Sequence, residues 1–165
     1  GQGMSVTPIQ VVAAYGALAN AGMRMRPYLV AEEHHSGHIE QHKAEPIMPA
    51  VSEETAGEIT TILADAVEIG MQKAMVPGYR VAGKSGTAEI PDPKREGYLE
   101  KGSIASFVGY GPVPDPRFVV LVKLDRPRGE VWGADVAAPP FAEMCDYLFD
   151  YYGIAPTAGM ATGAG

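Results

Sequence analysis

Val81-Ala82-Gly83-Lys84-Ser85-Gly86-Thr87-Ala88-Glu89 is the stretch that decides how this chain folds. A lysine set among small and apolar residues needs a reason, because burying an unpaired ammonium is costly. The hydroxyls of Ser85 and Thr87 straddle Gly86. Along a strand alternate residues share a face, so Lys84 should point away from Ser85 and Thr87 unless the strand twists or the long side chain curls round an edge. Glycine at position 86 removes the side chain that would hold a ligand off the backbone. Read as a strand, the stretch is a ledge for a carboxylate or a developing oxyanion: a cation, two hydroxyls and an open N–H. The bland alternative is a strand that happens to carry small polar residues.

A third reading starts three residues earlier. Gly78 to Ser85 matches the phosphate-loop template G-x-x-x-x-G-K-[ST] letter for letter. That template requires a helix directly after the loop, whose N-terminus holds the phosphates. Pro91 and Pro93 leave little room for one, and Tyr79, Arg80 and Val81 alternate like a strand. The apolar run Phe118 to Asp125, ending in an acid, keeps the nucleotide-binding alternative in play. A strand at 83–87 supports the first reading, and a loop capping a helix supports the third.

Working outward, Ser103–Tyr110 and Phe118–Leu124 read as two more strands after Tyr79–Ile90. Pro91 to Lys101 is a charged loop beside the ledge, expected to gate access to it. Gly111 to Arg117, with three prolines, is a tight turn. Connections this short predict antiparallel neighbours. Upstream, Ser52 caps a helix that places Ala56, Ile59, Leu63, Ala66 and Val67 on one face and Glu54, Glu58, Thr61, Asp65 and Glu68 on the other. Thr7-Pro8 opens an earlier helix, Ile9–Asn20, apolar enough to be buried on most sides. Met25–Val30 reads as extended, and Glu32–Lys43 as a polar surface hairpin. Pro139-Pro140 starts a last helix with Phe141, Met144, Cys145, Leu148 and Tyr152 on one face, closed by Gly153. The order predicts an α+β fold: an antiparallel sheet, three strands here, flanked by helices. An open sheet edge would invite self-association. Residues 157–165 read as a disordered tail after a folded unit 1–156.

The totals narrow the chemistry. Hydrophobic residues make up 46% and charged residues 20%, as in a folded globular chain. Net charge is −7 and the 13 basic residues are scattered, which argues against nucleic acid as a partner. The lone Cys145 permits no internal disulfide or thiolate cage and reads as a packing residue. His34, His35, His38 and His42, with Glu32 and Glu33, suggest a metal, but Ser36-Gly37 breaks any helix there and a solvated hairpin is preferred. Glu53/Glu54 read as helix surface. Trp132, between Gly129 and Gly133, is either the rim of a cleft or, by preference, a packing residue. No apolar run approaches the roughly 18–20 residues that span a bilayer. With no initiator Met ahead of Gly1-Gln2-Gly3, the chain reads as an excised fragment, any anchor lying upstream.

With the segments placed, a likeness emerges. Gly1-Gln2-Gly3 with Ser5-Val6-Thr7-Pro8-Ile9-Gln10, the Lys84-Ser85-Gly86-Thr87 strand, Ser106-Phe107-Val108-Gly109-Tyr110-Gly111-Pro112 with Asp115-Pro116-Arg117, and Val136-Ala137-Ala138-Pro139 stand in one order. Together they resemble the C-terminal part of the transpeptidase domain of class B penicillin-binding proteins, from Gly1 to about Pro156. Ser-Phe-Val-Gly leans toward the septal, cell-division branch.

The resemblance implies the penicillin-binding protein and β-lactamase-like fold. It also implies D,D-transpeptidation: an active serine attacks the penultimate D-Ala carbonyl of a peptidoglycan stem peptide, and a neighbouring amine resolves the acyl-enzyme. Partners would be stem peptides, β-lactams, the upstream half of the same domain, and a membrane glycan polymerase with division proteins, on the extracytoplasmic face of the membrane. No cofactor or metal is expected. Carried over by motif, Lys84 supplies positive potential, the Ser85 and Thr87 hydroxyls bind the substrate carboxylate, Gly86 allows close approach, and the Thr87 N–H is an oxyanion donor. The family's nucleophile lies in S-x-x-K, yet no serine here has lysine three places on, and the only asparagine, Asn20, does not fit its S-x-N motif. Both are expected upstream. A non-catalytic penicillin-recognising module is the alternative from another class.

Overall fold

Ser52 and Thr7 do at the helix starts what their side chains allow. In the computed structural model, which describes residues 3–156, Ser52 Oγ accepts the Thr55 N–H at the head of α2 (Glu53–Gly70). Thr7 and Gln10 cap each other reciprocally at α1 (Pro8–Ala19). Gly1-Gln2 and the expected tail at 157–165 lie outside the described residues.

Between these helices run four short strands, β1 (Met23–Met25), β2 (Glu32–His35), β3 (His38–Gln41) and β4 (Pro46–Pro49). β1 pairs with β4, and β2 with β3, both antiparallel. The His-rich stretch is thus an exposed hairpin turning at Ser36-Gly37, where Gly37 takes φ +82°. Across and along it Glu32 accepts from His34, and Glu33 lies against His35 and His42. The extended segment expected at Met25–Val30 is displaced, since the strand ends at Met25 and its continuation is irregular.

Then come β5 (Ala82–Pro91), β6 (Tyr98–Gly111) and β7 (Phe118–Asp125), in the order β5-β6-β7 and antiparallel throughout. The phosphate-loop reading is thereby overturned: residues 83–87 are strand, and the chain continues as strand to Pro91 with no helix after the motif. The charged loop is shorter than expected. Pro91 pairs with Tyr98, so the β5–β6 ribbon runs on beyond the end of β7 and only residues 92–97 turn it.

A single-turn helix α3 (Gly133–Val136) leads into α4 (Ala138–Tyr151), with prolines in its first turn. Gly153 at φ +60° ends α4, and the Ile154 N–H reaches back to the Phe149 carbonyl while Ile154 packs on the core. The inward face of α4 is Ala138, Phe141, Cys145 and Phe149. Met144 and Tyr152, expected there, are 47% and 60% exposed because the stripe is centred one residue further round.

The sheet has two unlike faces. On one, Phe107, Val120, Val122 and Leu124 meet Phe141, Cys145 and Phe149 of α4, with Phe107 and Phe141 rings 4.6 Å apart. Burial there pushes the Cys145 thiol up to about 12, so it packs as a small apolar group. On the other face α2 and α1 cover one end, through Ala64, Ala82, Tyr110 and Val113. Tyr110 Oη meets Thr60 Oγ1 at 2.8 Å. Arg80, just before β5, reaches Asp65 and Glu68 on what the sequence marks as the polar face of α2. Of α1 only Ala17 is buried. The expectation of burial on most sides fails because the sheet, α2 and β1 cover one flank. The other faces a groove of about 510 Å³ beside Arg24, Pro27 and Val51.

Candidate active site

The register of β5 on β6 fixes what the ledge presents. Lys84 stands opposite Val108, Ser85 opposite Phe107, Gly86 opposite Ser106 and Thr87 opposite Ala105. Two cross-strand rows therefore point to the half-covered face: Lys84–Val108–Leu121 and Gly86–Ser106–Lys123. With α1 side chains Val11 and Tyr15, and with Met4, Val6 and Pro8, they enclose a cleft of about 280 Å³. Ser85, Thr87 and Ala88 line it too, because β5 is an edge strand and its outer side opens on the same space. This resolves the alternation problem: Lys84 and the two hydroxyl residues border one cleft although they leave the strand on opposite faces.

The direction of the backbone groups follows from one close approach. A Cβ on Gly133 would meet the carbonyl oxygens of Gly86 and Ser106 at once, both inside 3.0 Å. Those two oxygens must therefore face each other between β5 and β6. In an antiparallel ladder such a bonded pair alternates with residues whose N–H and C=O turn outward. Ser85 and Thr87 are the outward ones. The Ser85 carbonyl accordingly takes a hydrogen bond from Lys84 Nζ at 3.0 Å, which folds the exposed ammonium along the strand edge.

Thr87 is held from behind. Its Oγ1 accepts the Gly133 N–H at 3.0 Å, across 46 residues of sequence, and its own O–H remains able to donate. Gly86 is glycine for a packing reason as well as for access, since a Cβ there would press on Ser106 Oγ at 2.7 Å. Burial raises the Tyr15 phenol, with the nearby Tyr110 adding to it, so Tyr15 meets the cleft as a neutral hydroxyl.

Of the residues that sequence reasoning singled out, Lys84, Ser85, Gly86 and Thr87 come together here. The histidines do not, and among the described residues no group of three or more His, Cys, Asp or Glu is placed to hold a metal. Trp132 corrects the packing expectation: it is 60% exposed, because the residue that must fit against the strand is its neighbour Gly133. Ser106, Lys123, Tyr15 and Gly133 were missed. Ser106 and Lys123 were legible in principle, as alternate residues of strands once the register is known.

Comparison with known proteins gives the family. Residues 1–146 match the family described as the penicillin binding protein transpeptidase domain. Stage V sporulation protein D of Bacillus subtilis is 44% identical over 84% of this chain and 22% of its own length. The probable peptidoglycan D,D-transpeptidase FtsI of Caulobacter vibrioides is 30% identical over 93% of this chain and 27% of its own. Among solved structures, the transpeptidase domain of Burkholderia pseudomallei penicillin-binding protein 3 superposes with TM-score 0.77 at 34% identity, over 94% of this chain and 45% of that one. Mycobacterium tuberculosis penicillin-binding protein 3 complexed with ampicillin gives 0.83 at 28%, over 99% and 38%. The chain spans about a quarter of the length of the curated relatives it matches. No described helix is long and apolar enough to cross a membrane. By sequence, by fold and by the strand that borders its cleft, the chain belongs to the penicillin-binding protein transpeptidase domain family.

Proposed function

We propose that this chain is the part of a serine-type peptidoglycan D,D-transpeptidase that supplies its Lys84-Ser85-Gly86-Thr87 strand. The supporting observation is the free edge of β5, whose outward N–H groups at Ser85 and Thr87 stand beside an ammonium and two hydroxyls. In this reading a serine of the intact protein bonds to the penultimate D-Ala carbonyl carbon. The peptide C–N bond breaks, the terminal D-Ala leaves as an amine carrying the serine hydroxyl's proton, and an acceptor amine then displaces the serine oxygen, which takes up the proton the acceptor amine gives up. The Thr87 N–H donates to the developing oxyanion, Ser85 and Thr87 bind the terminal carboxylate, and Lys84 supplies positive potential. One oxyanion donor of this kind is worth roughly 100- to 1000-fold in rate.

β-Lactams acylate the same serine. Septal peptidoglycan synthesis, at the outer face of the cytoplasmic membrane with a glycan polymerase and division proteins, is the setting we assign, in keeping with relatives named as a sporulation protein and a peptidoglycan D,D-transpeptidase.

The test is covalent labelling with a fluorescent penicillin, read by intact mass. The intact protein should gain one β-lactam mass on a serine, while the polypeptide Gly1–Gly165 alone, without S-x-x-K, gains none. An intact protein that acquires no adduct would overturn the proposal. An adduct on the short polypeptide would show that the nucleophile has been misassigned.

A further inference from the structure

The loop behind the strand fits its place too closely to be a mere connection. Gly133 is buried against β5 and β6, so near that no Cβ has room beside the Gly86 and Ser106 carbonyls, and its N–H ends on Thr87 Oγ1 at 3.0 Å. Two more ties hold the segment on either side. Ser103 Oγ, on β6, donates to the Val131 carbonyl at 3.3 Å, and Lys73 Nζ pairs with Asp135 at 2.8 Å. Lys73 belongs to the turn that comes after α2, so the second tie anchors the loop to a separate element. Within the loop, the Asp135 and Val136 N–H groups both return to the Trp132 carbonyl, which fixes the backbone at Gly133.

We propose that Gly133 is a positioning residue for acyl transfer. Pressed against Gly86 and bonded to Thr87, it sets the orientation of the Gly86–Thr87 peptide and so the aim of the Thr87 N–H at the reacting carbonyl. This rests on the transpeptidase reading and adds to it. The observations favour such a role over simple packing because the contact falls on the one outward-facing residue assigned as an oxyanion donor, and because it includes a directed hydrogen bond. Among the described residues β5 has a strand partner on one side only, and Gly133 meets it from behind, as a brace. A misaimed reacting group costs about 100-fold per ångström or so.

The experiment uses the intact protein and separates pre-covalent binding of a β-lactam from the acylation rate constant by stopped-flow. Gly133→Ala should lower the rate constant at least tenfold and leave the pre-covalent dissociation constant within twofold. Thr87→Val should fall, and adding Gly133→Ala to it should cost less than Gly133→Ala costs in the wild type, since the two changes share the Gly133–Thr87 link. Asp135→Asn loosens the exposed anchor without touching the strand; it should cost two- to fivefold and keeps the test valid if Gly133→Ala does not fold. Wild-type rates in Asp135→Asn, or in a folded Gly133→Ala, overturn the inference, as does a loss confined to the dissociation constant. A wild-type protein that is not acylated at all removes the transpeptidase reading, and this inference with it.

Discussion

One three-stranded sheet carries two faces that differ in almost every physical respect. Toward α4 the side chains of Phe107, Phe141, Cys145 and Phe149 are fully buried, and the rings of Tyr79 and Phe149 stack 3.8 Å apart. Toward α1 the same strands offer Lys84, Ser106, Val108, Leu121 and Lys123 to an open cleft. Each strand contributes to both faces by simple alternation, so a single register decides which residues stabilise and which are available for chemistry. The comparison predicts that substitutions on the two faces separate stability from activity.

The largest effect on stability should come from Phe141→Ala. The ring fills the space over Gly109, where even a Cβ would lie 2.7 Å from its Cζ, and it meets Phe107. Emptying that site should cost about 3–5 kcal/mol, seen as a lower urea midpoint for the intact protein. A loss below about 1 kcal/mol would mean that this face is not where the stability lies.

A smaller effect is expected where the two faces are joined. Arg80 donates to Glu68 Oε1 at 2.9 Å and to Asp65 Oδ1, clamping the start of β5 to α2. The Arg80 side chain is 31% exposed and its partners 50% and 32%, so solvent screens the pair. Arg80→Met should cost about 1 kcal/mol, and the cost should shrink in high salt. No salt dependence would show that the alkyl stem, and not the charge, does the holding.

These pairs also mark the limit of what the sequence discloses. Ser52, Thr7, Gly153 and the strand alternation at Lys84–Thr87 act through neighbours a few residues away, so their consequences can be read locally. The α1 error had a different source. An apolar helix is written the same way whether one flank or all are covered, and what covers it is set by distant chain. Asp65 and Glu68 look like helix surface until Arg80 arrives. Gly133 looks like a loop glycine until β5 and β6 lie beneath it. The ledge was legible because family resemblance and strand pattern agree there, whereas its brace depends on a contact across 46 residues that no local pattern encodes.

The smallest stability effect should belong to the residue with the largest proposed chemical role. Lys84 is exposed, and its one described hydrogen bond, to the Ser85 carbonyl, stays within the strand edge where water can replace it. Lys84→Met keeps the stem and removes the charge, so stability should stay within about 0.5 kcal/mol of wild type, as for surface changes away from special features. Acylation of the intact protein by penicillin should nonetheless fall about 100-fold or more, the scale of one oriented electrostatic group in a protected site. The two readouts have to diverge if the open face is kept for chemistry. If Lys84→Met instead lowers the urea midpoint as Phe141→Ala does, the ammonium belongs to the scaffold, and the division between the faces has been drawn in the wrong place.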